Sequence, residues 1–139
     1  MRQAQHEVAV ETHGKGLVEV TDTFAGWLSG QEIRTGLLVV HCLHTSASLV
    51  IQENADPDVR EDLERFFARL VRDDPSLYRH TAEGADDMPA HIRSALTASN
   101  LSIPVRDGHL ALGTWQGVYL FEHRRRPHRR SLLLHLLGE

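Results

Sequence analysis

The sequence has one cysteine, Cys42, in 139 residues. No disulfide can close within the chain, which agrees with a reducing compartment. Paired CxxC ligands are missing for the same reason, so a metal site here has to come from histidines and carboxylates. Long apolar runs are missing too: the longest, residues 36–40 and 132–137, fall far short of the ~20 residues that cross a bilayer. The opening MRQAQHEV lacks the basic-then-apolar order of a signal peptide, and a cytoplasmic protein with no membrane partner is the expectation. An excess of positive charge is also absent. Fifteen Lys and Arg against nineteen Asp and Glu give −4 with histidines neutral, so no field draws the whole protein to nucleic acid, and no nucleic-acid partner is expected. There is neither an internal repeat nor a low-complexity linker, and residues 1–139 read as a single domain.

What is present is ordinary globular material, 41% hydrophobic and 24% charged. HEVAVETH (6–13) and GLVEV (16–20) alternate apolar with polar around Gly-Lys-Gly and predict a hairpin. Residues 21–31 offer Thr21 or Asp22 as the cap of a short helix with Phe24, Trp27 and Leu28 on its apolar face. GLLVVHCL (36–43) and SASLVIQE (46–53) are β-branched and apolar enough for central strands. In residues 55–72 Asp56 caps, Pro57 fits the first turn, and Val59, Leu63, Phe66, Phe67 and Leu70 recur at helical spacing, with Glu61, Glu64, Arg65 and Arg69 as a solvated face. Residues 73–87 form a long irregular connection, and a short helix follows at 89–98. LSIPV, HLAL, TWQGVYLFEH and SLLLHLL then read as four strands, joined by turns such as Arg106-Asp107-Gly108. Strands outnumber helices without βαβ alternation, which predicts an α+β fold of mainly antiparallel, sandwich-like β-sheet with two to three short helices.

Charge is unevenly spread. Acids crowd residues 53–64 and 83–87, while HRRRPHRR (123–130) holds five arginines and two histidines around Pro127. That run reads first as a solvated hairpin turn and second as a phosphate-binding rim, since the planar guanidinium suits phosphate oxygens. Without interleaved aromatics it is a poor nucleic-acid surface.

Among the ten histidines, His44, His80 and His91 stand beside loops or element ends, with carboxylates or hydroxyls next to them. In GADDMPAHI, Asp87 or Met88 would cap a helix opened by Pro89, with His91 in the first turn. There the helix dipole disfavours imidazolium and leaves the neutral ring that ligates metals or acts as a base. Capping explains Asp86 and Asp87 but no histidine, and a mixed His and carboxylate set suits zinc or manganese. HTSASL places the Thr45, Ser46 and Ser48 hydroxyls beside His44, and a serine nucleophile there would need a base and an orienting acid in contact with it. GTWQG (113–117) is either a close-approach loop for a ligand or a tight turn that puts Trp115 into the core. Strand alternation sets Gln116, Val118, Leu120 and Glu122 on one face, so the Glu122 carboxylate needs solvent, a cation or a histidine.

The ordered set HTSASL, ENADPDVREDLERFF, YRH, EGADDMPAHI, GTWQG and GVYLFEHR closely resembles the YjbQ family over almost the whole chain. The resemblance implies a YjbQ-like α+β fold, a homotrimer, and a metal-binding site near the subunit interfaces. It also implies a secondary thiamine-phosphate synthase activity, joining hydroxymethylpyrimidine diphosphate to thiazole phosphate with release of pyrophosphate. On the matching positions, His44, His80 and His91 become metal ligands for a divalent ion (zinc, magnesium or manganese). Asp86, Asp87, Glu122 and Gln116 become catalytic candidates, and Thr45, Ser46, Glu53 and Arg124 candidates for binding a small phosphorylated substrate. Two other readings stand beside it: a trimeric metal- or anion-binding module without turnover, and a metal-dependent phosphate-ester hydrolase.

Overall fold

The computed structural model describes residues 1–139 as two antiparallel sheets with three helices. The strands are β1 (Arg2–Thr12), β2 (Gly16–Glu19), β3 (Thr35–Cys42), β4 (Ala47–Glu53), β5 (Asn100–Arg106), β6 (His109–Leu110), β7 (Gln116–Glu122) and β8 (His128–Gly138). The helices are α1 (Thr21–Ser29), α2 (Pro57–Leu70) and α3 (Asp87–Leu96). A large sheet runs β1-β8-β3-β5-β6 and a small one β2-β7-β4. This is the α+β, mainly antiparallel architecture that the patterning predicts. No helix is long and apolar enough to cross a membrane.

Period-two alternation supplies the core. Leu132, Leu134 and Leu136 of β8, with Leu38 and Val40 of β3 and Ile103 of β5, face inward from the large sheet; Leu49, Val118 and Leu120 face them from the small one, and all are buried. The turn between β5 and β6 is a two-residue hairpin, with Asp107 and Gly108 both at positive φ (53° and 81°).

Several local expectations are corrected. Residues 6–13 and 16–20 do not pair with each other: β1 pairs with β8 over its whole length and β2 pairs with β7, so Gly14 and Gly16, both at positive φ, carry the chain from one sheet to the other. Turn chemistry is the same for a hairpin and for a step between sheets. The strand at 46–53 is an edge rather than a centre, because β4 pairs only with β7, its outer side touched by a single bridge from Leu49 to Ala98. In α1 the cap position is Val20 without a side-chain bond, and Thr21 instead donates to Glu19 and accepts the Val118 N–H. Asp56 does cap α2, accepting from the Asp58 N–H at 2.9 Å. That helix buries none of its apolar stripe fully; Phe67 meets Phe121 edge-on at 5.4 Å, while Phe66 and Leu70 stay half-exposed. Glu64, read as solvated, pairs with buried Arg93.

The two sheets are tied by one fully buried carboxylate. Glu122, at the end of β7, accepts from Arg130 Nε at 2.8 Å and Nη2 at 2.5 Å, from the Thr12 hydroxyl at 2.7 Å, and from the His123 and Arg124 N–H groups at 3.0 and 3.2 Å. Alternation rightly puts it on the face of Val118 and Leu120, and its required cation is Arg130. With every lone pair engaged, its task is structural rather than the catalytic one that the resemblance implied. Burial pushes the Glu122 carboxyl up, but Arg130, Thr12 and the backbone donors more than offset it and hold it below the usual glutamate value.

Glu122→Gln strands the buried Arg130 charge and should cost about 3–5 kcal/mol in urea denaturation. In the parent protein this contribution is complete above the unfolded pKa of about 4.3 and is lost as pH falls below that through the depressed folded value. The parent should therefore show an acid loss of stability that the variant lacks; equal stability of the two at neutral pH would show that the clamp is dispensable.

Candidate functional site

The site forms where α3 begins. Asp87 is buried, and its Oδ1 accepts from Arg124 Nη1 at 2.5 Å. Its other oxygen, Oδ2, stands 2.5 Å from His80 Nε2 and 3.1 Å from His91 Nε2. Asp87 and His91 are four residues apart and share a helix face, while His80 comes from the connection between α2 and α3. The two imidazoles meet edge-on with centroids 5.3 Å apart. One ligand atom from each of His80, Asp87 and His91 lies within 4.8 Å of the others.

Neither aspartate caps the helix through its side chain: the helix starts at Asp87 rather than at Pro89, Asp86 stands at the cap position without a side-chain bond, and His91, expected in the first turn, is the fifth helical residue. Both acids are drawn to arginine instead. Asp86 Oδ2 accepts from Arg124 Nε at 3.0 Å and the Arg125 N–H at 2.9 Å, and Arg124 Nη2 donates to the Glu83 carbonyl at 2.9 Å. Burial pushes both carboxyls up. For Asp86 the Arg125 N–H and Arg124 outweigh it; for Asp87 the His80 hydrogen bond and the Arg124 charge do, and both end below the usual aspartate value. Arg124, placed with phosphate by resemblance, has spent all three guanidinium nitrogens on residues 83–87, so it is the post to which the acids are tied.

The tautomer of His91 decides the chemistry. Its Nδ1 lies 2.9 Å from the Thr45 carbonyl, which can only accept, so Nδ1 carries a hydrogen. The neutral ring then turns the Nε2 lone pair toward Asp87 Oδ2, acceptor against acceptor. Only a proton or a metal ion between them makes that contact favourable. A ligating histidine whose other N–H is held by a backbone carbonyl is the usual arrangement around zinc, and two imidazoles with a carboxylate suit zinc or manganese. The donor set therefore fits a divalent metal.

The remaining candidates separate. His44 Nε2 accepts the Ser131 N–H at 2.8 Å, which removes it from the ligand set, and burial lowers its pKa. It does share a cavity of about 350 Å³ with Thr45, His91, Thr97 and Ser99. The Ser46 hydroxyl accepts from Arg130 at 3.0 Å and serves the clamp. Glu53 and Gln116 sit across from each other at the far end of β4 and β7, six residues from Glu122, or about 20 Å at ~3.3 Å per residue. Glu53 accepts the Ala55 and Asp56 N–H groups and Gln116 the Gly113 N–H, so both shape turns. Trp115, in the GTWQG turn, is exposed rather than in the core.

Two buried groups carried no readable signal. His123, the first residue of the run read as a solvated hairpin turn, is fully buried, and burial, with the Arg93 charge, pushes its pKa down to about 3. Its Nε2 is 2.8 Å from Ser48 Oγ, which accepts from Thr97 at 2.5 Å. Ser48 is itself buried, and His123 Nδ1 has no orienting acid, so the serine-nucleophile reading fails. Arg93 is the other, enclosed on the inner side of α3, where only its three-residue spacing from buried Ala90 hinted at an inward direction.

Comparison with known proteins agrees with this fold. Residues 6–139 match the family described as UPF0047 protein YjbQ-like. UPF0047 protein sll1880 of a Synechocystis strain is 53% identical, covering 99% of this chain and 94% of its own length. UPF0047 protein YjbQ of Salmonella typhimurium is 46% identical over 97% of this chain and 98% of its own. A crystal structure from Clostridium acetobutylicum, described as an uncharacterized conserved protein of the YjbQ/UPF0047 family, superposes with a TM-score of 0.86 at 29% identity, covering 95% of this chain and 99% of that one. The chain belongs to the YjbQ-like UPF0047 family.

Proposed function

We propose that the protein holds a divalent metal through His80, Asp87 and His91 and acts on a small phosphorylated substrate in the cavity beside His91. The reaction implied by the family resemblance is of the thiamine-phosphate synthase type, joining hydroxymethylpyrimidine diphosphate to thiazole phosphate with release of pyrophosphate. The observation that carries the reading is His91, its Nδ1 held by the Thr45 carbonyl and its Nε2 facing the same buried carboxylate oxygen that His80 Nε2 meets. When bound, the metal supplies positive charge where negative charge develops on a departing phosphate group. Arg124 holds Asp87 by one oxygen and leaves the other to the histidines. The Thr45 and Ser99 hydroxyls line the adjoining cavity as donors for phosphate oxygens. The homotrimer is part of the same proposal. Leu37 and Leu137 lie across from each other on the outer face of the large sheet and are about 40% exposed, an apolar pair that another copy would cover.

Three expected outcomes follow. Purified without chelator, the protein should carry metal that His91→Ala and Asp87→Asn lose on dialysis, whereas His44→Ala should keep it and lose about 1 kcal/mol of stability with the acceptor for Ser131. If metal analysis finds the His44 variant as empty as the His91 variant, the ligand set is wrong. Incubated with both precursors, the metal-loaded protein should form thiamine phosphate. Phosphate released from a single ester would point to a hydrolase, and binding without turnover to a module. Light scattering at micromolar concentration should give three times the chain mass, and a monomer would remove the trimer.

A further inference from the structure

Roughly 200° round α3 from His91, at about 100° per residue, Arg93 leaves the helix toward a different cavity. That cavity, of about 250 Å³, is lined by Lys15, Ala68, Val71, Asp73, Arg93 and Arg125. It is smaller than the roughly 300–1,000 Å³ of pockets that enclose drug-sized ligands. Three cations converge on it from three parts of the chain: the segment between β1 and β2, helix α3, and the segment between β7 and β8. Lys15 Nζ and Arg125 Nη2 both donate to Asp73 Oδ2, at 2.7 and 2.5 Å. Arg93 is 1% exposed; its Nη1 donates to Glu64 Oε1 at 2.9 Å, and its Nε is buried with no partner. Asp73 Oδ1 is buried without a partner as well.

The bookkeeping is uneven in two ways. Three cations, Lys15, Arg93 and Arg125, face two carboxylates, Asp73 and Glu64, so one positive charge is left over in a partly enclosed place. One guanidinium donor, Arg93 Nε, and two carboxylate acceptors, Asp73 Oδ1 and Glu64 Oε2, are also unpaired, which folded proteins avoid. Water would satisfy the orphaned atoms and leave the charge. A small oxyanion answers the charge and the donor, and if it carries an O–H it answers the Asp73 acceptor too.

We propose that this cavity is a binding site for inorganic phosphate, separate from the His80–Asp87–His91 cluster, and that Asp73 makes it selective for an oxyanion bearing a proton. Arginine and lysine supply the donors, the arginines with planar forks that fit tetrahedral oxyanions. Asp73 supplies the discrimination. A carboxylate beside a fully ionised anion is repulsive, whereas monohydrogen phosphate keeps an O–H at neutral pH and donates it to the carboxylate. Sulfate has the same shape and no such proton. The site does not depend on the metal reading.

Calorimetric titration of the full chain near neutral pH, with inorganic phosphate and then sulfate as probes, tests this. The parent protein should bind phosphate, and sulfate at least about tenfold more weakly, which is about 1.4 kcal/mol and within the range that an unpaired buried acceptor costs. Asp73→Asn, whose amide can donate, should bring sulfate to within about threefold of phosphate. The double variant Lys15→Gln, Arg125→Gln should lose phosphate binding while keeping its circular dichroism and its metal, because Arg125 is largely exposed and neither residue is in the core. His91→Ala, emptied of metal, should still bind phosphate, so that failure here and failure of the metal centre are told apart. No heat from phosphate at millimolar concentration, equal affinity for phosphate and sulfate in the parent, or phosphate binding that is lost with His91 and kept in the double variant would each overturn the proposal.

Discussion

A single buried anion organises the molecule. Glu122 collects a guanidinium from β8, a hydroxyl from β1 and two backbone N–H groups from its own exit turn, so both strands of the large sheet that face it are fixed relative to the small sheet at one point. Replacing such a pair by apolar residues is often neutral in stability, so its contribution is better sought in geometry. By accepting the N–H groups of His123 and Arg124, the carboxylate sets how the chain leaves β7. His123 is directed into the core against Ser48, and Arg124 outward to the start of α3.

From that exit the site is assembled by one guanidinium. Arg124 engages Asp86, Asp87 and the Glu83 carbonyl, and so gathers the end of a long irregular connection that has little regular pairing of its own. The consequence for Asp87 is a division between its oxygens: Oδ1 belongs to the scaffold and Oδ2 to the histidines. A carboxylate held this way stays ionised although it is buried, because what its neighbours contribute exceeds the desolvation that opposes them. The helix then brings His91 to the same oxygen by its own four-residue period, without any loop having to be ordered for it.

Much of this was legible in the chain. β-branched and apolar content marked β3, alternation set the faces of β7, and Asp56 and Pro57 marked the start of α2. A histidine close to two acids singled out GADDMPAHI, although neither acid caps by its side chain and His91 lies past the first turn. What stayed hidden is what three-dimensional pairing decides. A Gly-Lys-Gly turn looks alike whether its strands pair or part, so β1 and β2 were read as partners. Resemblance grouped Glu53 and Gln116 with the histidines, yet the length of β7 separates them within one chain. Arg93 and His123 are buried charge-bearing types whose direction a short helix or a strand end does not announce.

His44 and His91 show how finely the distinction is drawn. Both sit beside the same cavity, and each gives one ring nitrogen to the backbone. The backbone partner has opposite polarity in the two cases. The Thr45 carbonyl takes a hydrogen from His91 and leaves a lone pair for a cation; the Ser131 N–H takes the lone pair of His44 and leaves, in the neutral ring, only an N–H. Both are histidines at element ends with polar neighbours, so sequence treats them as equivalent ligands. A carbonyl on one side and an amide on the other make one imidazole a base toward metal and the other a donor, suited at most to an anion in the cavity between them.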